Sequence, residues 1–230
     1  MRVDQQQAPS GSKKLGHYDK FYAQGGWAYS VREERRKLKK WVVPTAGWKR
    51  GQHVLEIGCG MGLQASILRD LGLTVTAVDA SAVGIEQAIA RYGGKKGLEY
   101  VCADLAEWAP AGSVDGIYCR GMSWFHYELL GVNKKGVDVP AQLDRMFGWL
   151  GTGGVFVLEI TTDFSGRKGG PGRVVHDNRL EDYLRLFEPL GEINPSGTGR
   201  GATSRAVFRP VPTGYSCIAE RSCSRSASVT

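Results

Sequence analysis

Residues 53–62, His-Val-Leu-Glu-Ile-Gly-Cys-Gly-Met-Gly, limit what this chain can fold into more than any other stretch. An apolar run carrying Glu56 breaks into the alternating glycines Gly58, Gly60 and Gly62. The run reads as a short buried strand and the glycines as a tight strand-to-helix turn. Glycine suits a place where a ligand approaches bare backbone with no Cβ in the way. Glu56 then sets a fixed negative charge beside that ligand, which fits an ammonium or a sulfonium better than a pyrophosphate. Other glycine loops fit less well. A P-loop would continue Gly-Lys-Ser/Thr, whereas Leu63-Gln64 follow Gly62. The dinucleotide fingerprint G-x-G-x-x-G needs a small residue at position 63, where Leu63 stands.

Downstream of Gly51 the chain alternates apolar runs with amphipathic segments. The runs cover 53–58, 74–79, 98–103, 114–119 and 153–160; helical patterns fall near 63–71, 81–92, 139–150 and 178–188. Such alternation predicts a parallel sheet with helices on both faces. Arg205 to Val211 can supply a final strand. Ahead of this unit lies an aromatic cluster, Tyr18 to Tyr29, then a charged helix over roughly 30–43 ended by Pro44. The expected division is a flexible lead over 1–16, one domain over 17–212, and a loose, Ser-rich tail over 213–230.

A chain of 230 residues can bury a full core without staples. No apolar run approaches a membrane span, and the polar start is no secretory signal. The five cysteines (Cys59, Cys102, Cys119, Cys217, Cys223) form no C-x-x-C pair, and the first three fall at strand or turn positions predicted to be buried. These features predict a reduced, cytoplasmic protein, with no membrane partner and no zinc site. The histidines His17, His53, His126 and His176 lack ligand spacing, so no metal is expected. The net charge of +7 concentrates in Arg32, Arg35, Arg36, Lys37, Lys39 and Lys40. That run reads either as a nucleic-acid footprint or as a solvated helix face with Val31, Leu38, Trp41 and Val42 turned inward.

In an open parallel sheet the ligand lies beyond the carboxyl ends of the strands. The second run ends in Asp79-Ala80, and the Asp79 carboxylate can accept both hydroxyls of a ribose. Alternatively, Asp79 or Ser81 caps the next helix. The third run ends in Asp104-Leu105, and a turn-forming Asp is one reading there. The fourth leads into Cys119-Arg120-Gly121-Met122-Ser123-Trp124-Phe125-His126-Tyr127. His126 is a candidate general base, since its ordinary pKa lies near neutrality, with Tyr127 and Glu128 beside it. The competing reading makes His126 a helix-start residue bonded to backbone. After the fifth run, Phe164 to Arg173 forms a Gly-rich basic loop, either a cover over an anionic acceptor or a mobile surface loop.

The segment Val-Leu-Glu-Ile-Gly-Cys-Gly-Met-Gly over residues 54–62 resembles the first motif of class I S-adenosylmethionine (SAM)-dependent methyltransferases. The resemblance covers roughly residues 17–190. It implies a Rossmann-like α/β fold: a doubly wound, mostly parallel seven-stranded sheet with helices on both faces. It implies SAM as cofactor, lying across Glu56, Gly58, Cys59, Gly60, Gly62, Asp79, Ala80, Asp104, Leu105, Arg120 and Gly121. In that family Asp104 would take the adenine amino group, and the loop after the fourth strand would lie beside the transferable methyl. An N-terminal aromatic segment covers the cofactor in related enzymes, which brings in Tyr22 and Trp27; a simple hydrophobic cap on the sheet is the other reading. Cys119 to Ser123 is similar to the Arg-Gly-Asn-Ser segment of glycine and sarcosine N-methyltransferase-like enzymes, with Met122 in place of the usual Asn. A small-molecule acceptor, an amine or a carboxylate-bearing metabolite, is therefore expected. Methylation of RNA or DNA, or SAM binding without turnover, are the alternatives.

Overall fold

The computed structural model describes residues 16–131, 136–161, 180–196 and 203–210. Seven strands form one sheet in the order β3-β2-β1-β4-β5-β7-β6. They are β1 (His53–Ile57), β2 (Thr74–Asp79), β3 (Leu98–Cys102), β4 (Val114–Arg120), β5 (Leu150–Thr161), β6 (Gly191–Ser196) and β7 (Thr203–Pro210). Neighbours among β1 to β5 pair in parallel. The parallel body stops at those five strands, because β7 runs antiparallel to both β5 and β6. β6 carried no sequence signal: Gly191 to Ser196 includes Pro195 and Gly191, which weaken a strand pattern. It stands at the sheet edge, where a missing N–H is tolerated.

Alternate strand residues feed two cores, as the two-residue period requires. Leu55, Ile57, Ile117, Cys119, Phe156 and Leu158 face one side. They pack with residues of α6 (Ser123–Leu129), α7 (Val139–Gly148) and α8 (Leu180–Phe187). Val54, Val75, Ala77, Tyr118, Val155 and Val157 face the other. There they meet Leu38, Val42 and Ala46 of the helical turns that follow α2 (Val31–Lys37), together with α4 (Leu63–Asp70) and α5 (Ala82–Tyr92). Gly116 on β4 is fixed by packing, since a Cβ there would lie 2.3 Å from the Trp48 indole nitrogen. Helices therefore cover both faces, as the alternation predicts.

The charged helix departs from its predicted form in two ways. It does not end at Pro44. Residues Leu38–Val42 wind as a π-helix and Val43–Ala46 continue as α3, which stops at Gly47 with φ 71°. Proline offers no N–H and crowds the carbonyl four residues back, and the wide turn ahead of it accommodates both. The inward face also differs. Leu38 and Val42 are buried, but Val31 and Trp41 are 54% and 49% exposed, and Glu34 and Lys37 turn inward instead. Cys59 and Cys119 are buried as expected, whereas Cys102 is exposed because β3 is the outermost strand. No helix among the described residues is long and apolar enough to cross a membrane.

Candidate functional site

The chain passes from β3 at one edge to β4 beside β1, so the strand order reverses between β1 and β4. Such a switch point opens a crevice at the strand ends. The Gly58 loop leaves β1 there and Gly121 leaves β4. Gly58 has φ 70°, and a Cβ on it would meet nothing within 4 Å, so its Cα borders open space. Gly62, at φ 76°, serves packing instead: a Cβ there would lie 2.6 Å from the Tyr100 ring and 2.7 Å from Ala88.

Hydrogen bonding in this loop defines what it can bind. The N–H groups of Gly58 and Cys59 donate to the Val78 carbonyl, at 2.9 and 3.1 Å. Gly60 donates to Asp79 Oδ2 at 2.8 Å, and Gly62 to the Cys59 carbonyl at 3.0 Å. A pyrophosphate needs free N–H groups, and these are spent. The Glu56 carboxylate lies near the first turn of α4, where the Ala65 backbone favours its charged form. Glu56 is 2% exposed and its Oε2 has no hydrogen-bond partner among the described residues. Burial pushes its carboxyl up to about 8, opposed by the charges of Arg120 and Lys37 and reinforced by Asp79. The arrangement suits a cation.

Asp79 accepts from Gly60 through one oxygen and from the Ser81 N–H at 2.8 Å through the other. Ser81 in turn caps α5, its hydroxyl accepting from Gly84 N–H at 3.1 Å. Of the two residues offered as the cap of this helix, Ser81 is the one that serves. Each Asp79 oxygen keeps a second lone pair for a ligand. Ala80 follows as the link into α5. Desolvation raises the Asp79 pKa against its backbone hydrogen bonds, with Asp19 adding to the rise. Asp104 is exposed and its Oδ1 accepts the Ala106 N–H at 2.9 Å, which is the turn-forming geometry. Leu105 turns its side chain into the core, and its carbonyl accepts from Arg145.

An N-terminal helix, α1 (His17–Ala23), lies on the loop. Tyr22 packs over it: a Cβ on Gly60 would stand 2.7 Å from the Tyr22 hydroxyl. Gln87 holds the Tyr22 carbonyl at 2.8 Å, and Ser81 donates to Asp19 Oδ1 at 2.5 Å. Tyr18 stacks on Tyr22 and lies beside Ser123 at the start of α6, with Tyr127 and Asp79 close by. Trp27 is brought onto Phe21 rather than onto the loop, and its ring is 59% exposed.

Arg120 is engaged by protein. It bonds Glu34 Oε2 at 2.6 Å and Glu159 Oε1 at 3.3 Å, and lies 4.2 Å over the Tyr29 ring. Gly121 donates to the Glu159 carbonyl at 2.9 Å and presents its Cα side to open space. His126 is 2% exposed, with Nδ1 2.5 Å from the Tyr183 hydroxyl. The ring is set into the fold between α6 and α8. Tyr127 beside it is half-buried. The Gly-rich loop from Phe164 to Arg173, most of the lead and the tail lie outside the described residues.

Sequence reading missed Tyr18, Asp19, Glu34, Lys37 and Glu159 as parts of the site. For Glu34 a signal existed: Glu34, Leu38 and Val42 recur at spacing four, which puts them on one helix face. For Asp19 and Glu159 there was none, since their partners are distant in sequence.

Residues 54–135 match the family model described as a methyltransferase domain. No curated protein matches the chain in sequence. In fold the chain is similar to DhpI in complex with S-adenosylhomocysteine (SAH), at TM-score 0.62 and 22% identity, over 85% of this chain and 94% of that one. It is also similar to the glycopeptide N-methyltransferase MtfA complexed with sinefungin, at TM-score 0.61 and 16% identity, over 83% and 90%. The N-methyltransferase NodS from Bradyrhizobium japonicum WM9, complexed with SAH, gives 0.57 and 19%, over 78% and 86%. The matched residues 54–135 carry the glycine loop to the switch point of the sheet, and the sheet has a Rossmann-like fold similar to those methyltransferases.

Proposed function

We propose that the protein transfers the methyl group of SAM to a small-molecule acceptor, an amine or a carboxylate-bearing metabolite. The carrying observation is the β1 loop: open at Gly58, with the N–H groups of Gly58, Cys59, Gly60 and Gly62 spent and an unmatched buried carboxylate behind it. In this reading Glu56 faces the amino-acid arm, Asp79 takes the ribose, and Asp104-Leu105 lie at the adenine end. The sulfonium methyl then points to the opening beyond β4, bounded by Gly121, Tyr18, Ser123 and Tyr127. Methyl transfer from a sulfonium is an in-line displacement with a good leaving group, so alignment and water exclusion supply most of the acceleration. Tyr127 and His126 serve the acceptor side. Tyr127 stands nearer the opening, and His126 acts from behind it.

A SAM-consumption assay over a panel of amines and carboxylates, with tRNA and DNA included, tests the acceptor class. Turnover confined to a nucleic acid would overturn the small-molecule reading. For α6, His126→Ala is expected to lower turnover about 100-fold while SAM affinity holds, as for a contribution made in the transition state. An unchanged rate would make the ring a packing element against Tyr183.

A further inference from the structure

Two cations stand at the ends of β4 and β5, and two carboxylates already hold both. Lys37 Nζ lies 2.7 Å from Glu34 and 2.6 Å from Glu159, and Arg120 bonds the same pair. Gln64 adds a hydrogen bond to Glu34 at 3.1 Å and the Tyr118 hydroxyl donates to Glu159 at 3.1 Å. Glu56 is a third carboxylate on this face of the sheet, in register with Tyr118. It joins none of these pairs, and Arg120 and Lys37 act on it only through space. The other titratable groups facing it are Asp79 from β2, Cys59 from the loop, Tyr100 from β3 and Tyr118 from β4, with Cys119 acting from the opposite face of the sheet. Burial raises the pKa of each of those thiols and phenols, so they stay neutral and offer no counter-charge.

A charged carboxylate buried with one oxygen unpartnered is costly, and such a group neutralises instead. A ligand that carries its own cation into the crevice removes the reason to do so. We propose that Glu56 holds a proton in the ligand-free protein and releases it to solvent when the ammonium of the cofactor's amino-acid arm becomes its counter-ion. This rests on the reading that SAM lies on the β1 loop. The carboxyl O–H bond breaks, the proton passes to buffer, and the carboxylate accepts an N–H from the ammonium. SAH carries the same ammonium, so the proton returns only when product leaves. Glu56 thereby selects for the zwitterionic arm: a nucleoside lacking it leaves the carboxyl neutral.

The pH dependence follows from the sign of the shift. The native carboxyl titrates near 8 against 4.5 for the unperturbed group, so between these values the ligand-free protein binds more protons than the unfolded chain. Its stability from this group is present below about 4.5 and falls as pH rises toward 8. Affinity for SAH moves oppositely, rising up to about tenfold per pH unit below 8.

Calorimetric titration of SAH at about pH 6.5, in buffers of low and high ionisation enthalpy, reads the protons exchanged. About one proton released per SAH is expected, and near zero for 5′-methylthioadenosine. Glu56→Gln, which copies the protonated form, should abolish the release. If that variant fails to fold, the comparison of SAH with 5′-methylthioadenosine on the native protein decides alone. SAH binding without proton release would overturn the proposal. So would release that persists in Glu56→Gln, which would assign the proton to Asp79. Failure of SAH to bind at all would remove the site reading itself, a distinct outcome.

Discussion

Gly58 and Gly62 look alike in sequence and do different work. Both have positive φ, which costs an alanine about 1 kcal/mol or more. At Gly58 a methyl meets open space, so Gly58→Ala should cost little beyond that strain while obstructing the ligand. At Gly62 the methyl collides with Tyr100 and Ala88, adding about 2 kcal/mol of overpacking. Thermal melting with SAH calorimetry separates them: Gly58→Ala should lose binding with a small drop in Tm, and Gly62→Ala should lose mainly Tm. Asp79→Ala removes the acceptors for a ribose and also frees the Gly60 N–H. Two charge-assisted hydrogen bonds of about 1.5 kcal/mol each predict roughly 100-fold weaker SAH binding. Retained affinity would move the ribose away from Asp79.

At the scale of elements, the charged helix carries two kinds of charge. Glu34 and Lys37 are half-buried or better and fasten α2 across the ends of β4 and β5; Arg32, Arg36, Lys39 and Lys40 are exposed. Glu34→Ala leaves Arg120 and Lys37 sharing Glu159 alone. The expected cost is about 2 kcal/mol, below that of a fully buried pair because one partner remains. Urea unfolding measures it. By contrast Lys39→Glu with Lys40→Glu should leave stability nearly unchanged. The same double variant tests the partner. Turnover of a small acceptor should survive it, whereas a nucleic-acid substrate should show activity that collapses with this reversal and with salt. Lys37 is unsuited to that test, since its reversal would break the buried cluster.

Across the whole molecule, the parallel body of β1 to β5 was legible in the alternation of runs and amphipathic segments. The sheet's far edge was not. β7 agrees with the Arg205–Val211 expectation in position, but its insertion between β5 and β6 is a long-range choice. It lets the chain close the sheet with an antiparallel pair and leaves the crevice at the β1/β4 switch undisturbed. Helix α1 matters at this scale too. It joins the loop through Tyr22, α5 through Asp19 and Gln87, and α6 through Tyr18. The N-terminal aromatic segment thus spans both sides of the crevice.

What the sequence determined by itself is what short-range sterics and periodicity decide. Strand and helix periods, the glycine turn after Ile57, the carboxylate ahead of it and the acids at the ends of β2 and β3 depend on neighbours within a few residues. The residue identities at 62–64 were enough to exclude two phosphate loops. Tertiary structure decided which charges are buried. Glu34 and Lys37 turn inward only because Arg120 and Glu159 arrive there, 86 and 122 residues further along. His126 is set into the fold because Tyr183, 57 residues later, meets its ring. Glu56 is left without a counter-ion because those same pairings use up the nearby cations. A hydrogen bond or ion pair between distant residues leaves no period in the sequence, so only the folded chain shows it.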